Sequence, residues 1–235
     1  NSSQLSAITF GLLLMKTLYF CDMISDIEIG KQLAKFLLQI NAIILQPGNP
    51  FTWASGWKSP IYCDNRKILS FPKSRTYIRQ SLVKVISKHY GSTNVIAGVA
   101  TGAIAHGALV AEEMGLPFIY VRSAKKEHGK QNRVEGAYNS GQSVIVIEDL
   151  ISSGKSCLEA VEALRKEGLN VKGLISIFTY GFDVATKNFK KANCEFISLC
   201  NYSTLLQVAV KQNYIKQSDL EVLEKWRKNP SKWKK

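Results

Sequence analysis

From Pro72 onward the chain alternates helical and strand-like segments, and that alternation limits its fold more than any other feature. A helical stretch, "PKSRTYIRQSLVKVISKHY", is stopped by Gly91 and followed by the apolar run "NVIAGV". A helix "AIAHGALVAEEM", stopped by Gly115, leads into "PFIYV". After a polar stretch come "SVIVIE", the helix "SCLEAVEALRKE" stopped by Gly168, and the strands "VKGLISIF" and "CEFISL". Strands that read as unbroken apolar runs are buried on both faces. The pattern therefore predicts an α/β fold with a parallel central sheet flanked by helices. Ligands in such sheets bind beyond the carboxyl ends of the strands. That places three segments at one mouth: "ATGA" at 100 to 103, the long polar stretch at 122 to 141, and "DLISSGKS" at 149 to 156.

Ahead of this core, Ser25 with Glu28 reads as a capping box that opens an amphipathic helix reaching about Gln39. A short strand "AIILQ" and the breaker "PGNP" come next. The runs "FTWAS" and "PIYCD" read as a hairpin around Ser55 and Gly56. Residues 23 to 70 are expected to form the helix and a small N-terminal hood, and residues 71 to 235 the core with its C-terminal helices. The first 22 residues are apolar, but Lys16 interrupts them and no basic cluster leads them. They match neither a secretion signal nor the roughly 20 apolar residues of a membrane span. Met23 is read as the natural start, with 1 to 22 an extension outside the fold.

The net charge of +13 favours an anionic partner: nucleic acid, a membrane surface or a phosphorylated metabolite. From Lys211 to Lys235 there are eight basic and three acidic residues, read as a solvated amphipathic helix with a frayed end. The five cysteines are odd in number and contain no CxxC pair, which argues against a disulfide framework or a zinc site. A reducing compartment, the cytoplasm, is expected.

The stretch "VIVIEDLISSGKS", 144 to 156, joins a buried strand to two acids and a small-residue turn. Small residues before a helix let backbone N–H groups point at a phosphate, and the helix start adds partial positive charge. "GKS" ends a Walker A loop, but that motif needs a glycine where Asp149 stands, so a nucleoside triphosphatase is not indicated. Glu148 and Asp149 would repel a phosphate set directly against them. They suit sugar hydroxyls or a hydrated magnesium ion, and a phosphorylated sugar would satisfy both halves. The plainer reading is a strand end that emerges acidic into solvent.

These thirteen residues resemble the phosphoribosyl pyrophosphate (PRPP) signature of type I phosphoribosyltransferases. The resemblance implies that family's fold, with the 5-phosphate on Ser152, Ser153, Gly154, Lys155 and Ser156. It also implies that Glu148 and Asp149 face the ribose hydroxyls, with Leu150 and Ile151 between the two devices. "FTWASGWKSPIYCDNR", 51 to 66, resembles the hood of orotate phosphoribosyltransferases, and "RSAKKEHG", 122 to 129, their mobile loop. By that resemblance Arg122, Lys126 and His128 would meet the pyrophosphate, Thr101 would meet PRPP, and Ser152, Tyr62 and Cys63 would meet orotate. Catalysis would fall to Lys126, Asp149, Arg122 and His128. Magnesium would be carried by PRPP without direct protein ligands. The loop is expected to act as a lid, often across a homodimer, and neither nucleic acid nor membrane is implied as a partner.

The chain departs at Ala54, Gly102 and Ser123 from the family members that carry lysines there, with Lys125 or Lys58 as substitutes. It also has Tyr180 near the position of an arginine that holds the orotate carboxylate. Two other readings remain open: transfer to a different base, and a PRPP-sensing regulator, although no helix-turn-helix precedes the hood. His89 reads as a helix-end cation, and His106 as a satisfied helix residue. Trp53 and Trp57 read as packing or base-stacking rings, and Cys63 and Cys157 as small hydrophobes.

Overall fold

The structure is a computed structural model that describes residues 26–53, 56–123 and 133–233. Helix α1 (Ile27–Gln39) turns Leu33, Ala34, Leu37 and Leu38 inward at helical spacing. Its N-cap is Asp26, whose carboxylate accepts from the backbone N–H groups of Glu28 at 3.0 Å and Ile29 at 3.4 Å. This corrects the expected Ser25 and Glu28 box. Asp26 has the extended backbone a cap needs, and Glu28 pairs with Lys31 instead.

The hood consists of two small antiparallel ladders rather than one hairpin. Strand β1 (Ile43–Leu45) pairs with β4 (Ile61–Cys63), and β2 (Phe51–Thr52) with β3 (Lys58–Ser59). "FTWAS" and "PIYCD" therefore do not pair with each other. Pro60 has no N–H to give and separates β3 from β4, while its carbonyl accepts from Gln46 N–H at 2.7 Å. A 3-10 turn, Asn65–Ser70, leads into α2 (Pro72–His89), which starts on a proline where a missing donor costs nothing.

The main sheet uses β5 (Val95–Val99), β6 (Phe118–Val121), β7 (Val134–Glu135), β8 (Ser143–Ile151), β9 (Asn170–Thr179) and β10 (Phe196–Asn201). Its order is β10-β9-β8-β5-β6-β7, parallel throughout except for β7, as expected from the alternation. The intervening helices are α3 (Ile104–Met114), α4 (Lys155–Lys166), α5 (Asp183–Lys191), α6 (Tyr202–Lys211) and α7 (Leu220–Lys228). Successive strand residues point to opposite faces. Ile145 and Ile147 join the layer of Leu33, Ile78, Leu82 and Leu205, whereas Val144 and Val146 pack with Cys157, Val161 and Phe189.

Two further expectations need correction. The stretch 122 to 141 is not wholly irregular, because Arg122 N–H donates to Arg133 O at 2.8 Å and β7 returns antiparallel along β6. The C-terminal basic segment does form an amphipathic helix, but one docked on the core rather than solvated on all sides. Leu223 and Trp226, three apart on one face of α7, are fully buried, so the cations occupy only the opposite face. Among the described residues no helix is long and apolar enough to cross a membrane.

Candidate active site

Chain direction along the sheet changes beside β5: from β5 the chain moves outward to β6, while β8, on its other side, leads to β9 and β10. The crevice at such a switch point, beyond the carboxyl ends of β5 and β8, is where open parallel sheets bind ligands. Its two walls are the turn at 100 to 103 and the end of β8. They touch closely: a Cβ on Gly102 would collide with the Asp149 carboxylate. Position 102 therefore has no room for a side chain while Asp149 stands as it does.

β8 continues through both acids to Ile151, further than the sequence run "SVIVIE" suggests. Because side chains alternate, the stems of Glu148 and Asp149 leave on opposite faces. Asp149 is half-buried on the side of Asn65, whose amide Nδ2 donates to Asp149 O at 2.6 Å. Glu148 is buried, with Oε1 accepting from Asp149 N–H at 2.9 Å. Burial first, and then the adjoining Asp149, raises the Glu148 carboxyl well above the ordinary range.

A raised carboxyl pKa means that the folded chain keeps this proton to higher pH than the unfolded chain does. Its contribution to stability is complete below the usual carboxylate range and is lost as pH rises through the folded value. Glu148→Gln is therefore expected to gain thermal stability on the wild type as pH is raised from about 4 to about 8. A difference in melting temperature that did not change with pH would contradict this.

The turn after Ile151 is built for an open helix end. Gly154 has φ of 77°, a left-handed conformation that disfavours side chains, and a Cβ there would lie 2.7 Å from the Phe189 ring. It stands at the N-cap of α4 and has no side chain to cap that end, while Ser153 Oγ accepts from Lys155 N–H in a long bond of 3.4 Å. Asn188 Nδ2 donates to Ser153 O at 2.9 Å and fixes the turn from α5. Beyond that bond, the N–H groups of the first turn of α4 keep their capacity for an anion. Ser152 and Ser153 are half-buried, while Lys155 and Ser156 are exposed at the rim.

Comparison with known proteins bears on this geometry. A model of the phosphoribosyl transferase domain matches residues 66–212. The orotate phosphoribosyltransferase of Phocaeicola vulgatus is 53% identical over 203 residues, covering 86% of this chain and 96% of that protein. The chain belongs to the orotate phosphoribosyltransferase family. The enzyme of that name from Cytophaga hutchinsonii is 54% identical over 205 residues, covering 87% of this chain and 98% of its own length. Among solved structures, orotate phosphoribosyltransferase from Aeropyrum pernix superposes with a TM-score of 0.69 at 27% identity, over 78% of this chain and 99% of that one. Leishmania donovani UMP synthase gives 0.71 at 29% identity, over 84% of this chain but 42% of that one.

The other residues singled out by resemblance to the orotate phosphoribosyltransferase family are spread over several elements. Thr101 is exposed in the β5 turn, and Arg122 ends β6 with its guanidinium 3.5 Å from Glu135. Leu150 is half-buried, whereas Ile151 is fully buried and its carbonyl accepts from Tyr180 N–H at 3.1 Å. Tyr62 is exposed beside Phe51, and Cys63 is half-buried with its thiol 3.6 Å from Asn65 Oδ1. Burial, and then the charge of Asp149, raises the Cys63 thiol well above its usual pKa, so it is no ready nucleophile. Lys126 and His128 lie outside the described residues, as do Ala54, Lys125 and Lys130.

Tyr180 does not take over the role of a base-binding arginine. It is buried among Trp53, Phe178, Phe182 and Trp226, with ring centroids 5.3 to 5.6 Å away. Trp53 belongs to the same cluster and donates its indole N–H to Ile61 O at 3.2 Å, so packing rather than stacking describes it. Next to that cluster the hood, the turn and α7 enclose a pocket of about 790 Å³, whose wall includes Trp57, Ser152, Phe182, Arg227 and Lys228. A larger cleft, about 1020 Å³, runs along α4 and α5 and meets the turn only at Ser153 and Lys155. It lies on the face of β8 away from Asp149.

Asn65 and the two α7 cations escaped sequence reasoning. A lone asparagine after "YCD" carries no pattern, and burial alone reveals it. His106, expected to be satisfied, has a buried Nε2 with no hydrogen-bond partner among the described residues. Burial lowers its pKa, with the Asn65 backbone and the charge of Asp149 acting the other way. Among the described residues no group of three His, Cys, Asp or Glu side chains could hold a metal ion. Glu148 is occupied by its backbone bond and favoured as neutral, so at this strand end only Asp149 presents a half-exposed carboxylate.

Proposed function

We propose that the chain transfers the 5-phosphoribosyl group of PRPP to orotate, giving orotidine 5-phosphate and pyrophosphate in pyrimidine synthesis. One observation carries this reading: a half-exposed carboxylate, Asp149, and a helix start with a glycine N-cap, Gly154, stand on one strand, turn and helix at the switch of a parallel sheet. The α4 N–H groups, with the hydroxyls of Ser152, Ser153 and Ser156, take the 5-phosphate. Asp149 takes the ribose hydroxyls as acceptor, and Glu148 fixes the strand end through Asp149 N–H.

Displacement occurs at the anomeric carbon with inversion, as a ring nitrogen of orotate forms the new C–N bond and pyrophosphate leaves with the electron pair. Orotate reacts as an anion, so no strong base is required of Asp149. The charge that develops on pyrophosphate is met by Arg122 from β6, by Lys126 and His128, and by the turn at Thr101. Magnesium carried on PRPP would offset more of that charge. The working form is a cytoplasmic homodimer in which the loop after Arg122 closes over a site and excludes water.

The protein mixed with PRPP, magnesium and orotate is expected to remove orotate's ultraviolet absorbance only when PRPP is present. No change, together with salt-sensitive binding of DNA, would show a regulator instead. Lys126→Ala is expected to lower kcat by about 10²- to 10³-fold, the scale for losing one charge-stabilising group, without shifting the melting temperature. Equal losses in both would mark Lys126 as structural.

A further inference from the structure

The last turn of α7 holds three cations with different commitments. Lys225 pairs with Glu221 at 2.6 Å. Arg227 gives Nε and one terminal nitrogen to Glu224, each at 3.1 Å, and its other terminal nitrogen to Ser203 Oγ at 3.1 Å. Lys228 is exposed and has no ion pair or hydrogen bond with any described residue. Yet it lines the pocket between hood, turn and α7. Its backbone is firmly placed, because the nearby Trp226 is fully buried against Trp53, Tyr180 and Phe182.

We infer that Lys228 binds the carboxylate of orotate and so sets the preference for an acidic base. This rests on the proposed orotate reaction. The pocket has what a flat acidic ring requires: Trp57 and Phe182 as aromatic walls, Ser152 as a hydroxyl donor beside the ribose end, and an uncommitted ammonium at the rim. Where the family pattern has an arginine, Tyr180 is buried in the aromatic cluster and offers no charge. Asp183 also lines the pocket, but it is exposed in the first turn of α5, where the helix dipole offsets its charge. Arg227, held by Glu224 and Ser203, adds rigidity to the helix end and leaves Lys228, among the described residues, as the free cation of this wall.

The test is steady-state kinetics of Lys228→Met and Lys228→Arg with orotate and with uracil, which lacks the carboxylate. Lys228→Met is expected to raise the KM for orotate about tenfold, the scale of one charge-assisted hydrogen bond, and to leave the KM for PRPP unchanged. Selectivity for orotate over uracil should fall by the same factor, and Lys228→Arg should restore most of it. Added salt should weaken orotate use by the wild type and not by Lys228→Met. An unchanged KM for orotate, or equal rises for orotate and PRPP, would overturn the assignment. Wild-type turnover of orotate with an unaffected Lys228→Met would overturn this inference alone, whereas a wild type inert toward orotate would overturn the proposed reaction and this inference with it.

Discussion

Asp149→Asn is expected to lower kcat/KM for PRPP by about 10²- to 10³-fold while moving the melting temperature by no more than about 2 °C. The asymmetry comes from what the side chain does and does not hold. Asn65 donates to the backbone carbonyl of residue 149, and Glu148 accepts from its backbone N–H, so the strand end keeps its shape without the carboxylate. The amide has nearly the same volume, which matters because Gly102 leaves no spare room against it. Only the negative charge and one acceptor are lost, the two features proposed to meet the ribose. Initial-rate kinetics with a calorimetric scan on the same preparation would check it. Unchanged kinetics, or a loss of stability as large as the loss of rate, would remove Asp149 from the site.

Trp226→Ala is expected to have the largest effect on stability, about 3 to 5 kcal/mol, or a fall of about 10 °C in melting temperature. The indole is fully buried and meets four other rings, Trp53, Tyr180, Phe182 and Tyr202, with centroids 5.4 to 5.7 Å away. Its loss opens a cavity and unseats the helix that carries Arg227 and Lys228. Trp226→Phe should recover most of the stability, since it keeps a ring and removes a buried indole N–H that has no partner among the described residues. Thermal unfolding of both variants would decide. A midpoint for Trp226→Ala within about 2 °C of the wild type would mean that α7 is a loosely held tail after all.

What could be read from the sequence was whatever repeats with a strong period. The core strands appear as unbroken apolar runs because both their faces are covered, and the helices between them end at glycines such as Gly115, which adopts the left-handed conformation at φ of 64°. The strand end, two acids and small-residue turn proposed to hold ribose and phosphate were legible for a related reason: they are contiguous, and local chemistry dictates all three. Non-local arrangements were not legible. The hood strands are two or three residues long, too short for a period, so nothing in "FTWAS" or "PIYCD" indicated that β4 pairs with β1. The basic surface of α7 masked Leu223 and Trp226, whose role depends on rings contributed by the hood and by the loop after β9. Asn65 reaches Asp149 across 84 positions of sequence, a distance at which composition and spacing carry no signal.

The central claim is that one strand, turn and helix divides a phosphorylated sugar into two halves, hydroxyls on Asp149 and phosphate on the start of α4. A crystal structure of the protein with PRPP and magnesium tests it most directly. The 5-phosphate should lie within hydrogen-bond distance of the backbone N–H groups from Ser153 to Ser156, and a ribose hydroxyl should lie on the Asp149 carboxylate. A phosphate seated instead in the cleft along α4 and α5, with Asp149 out of reach of the ribose, would contradict the account.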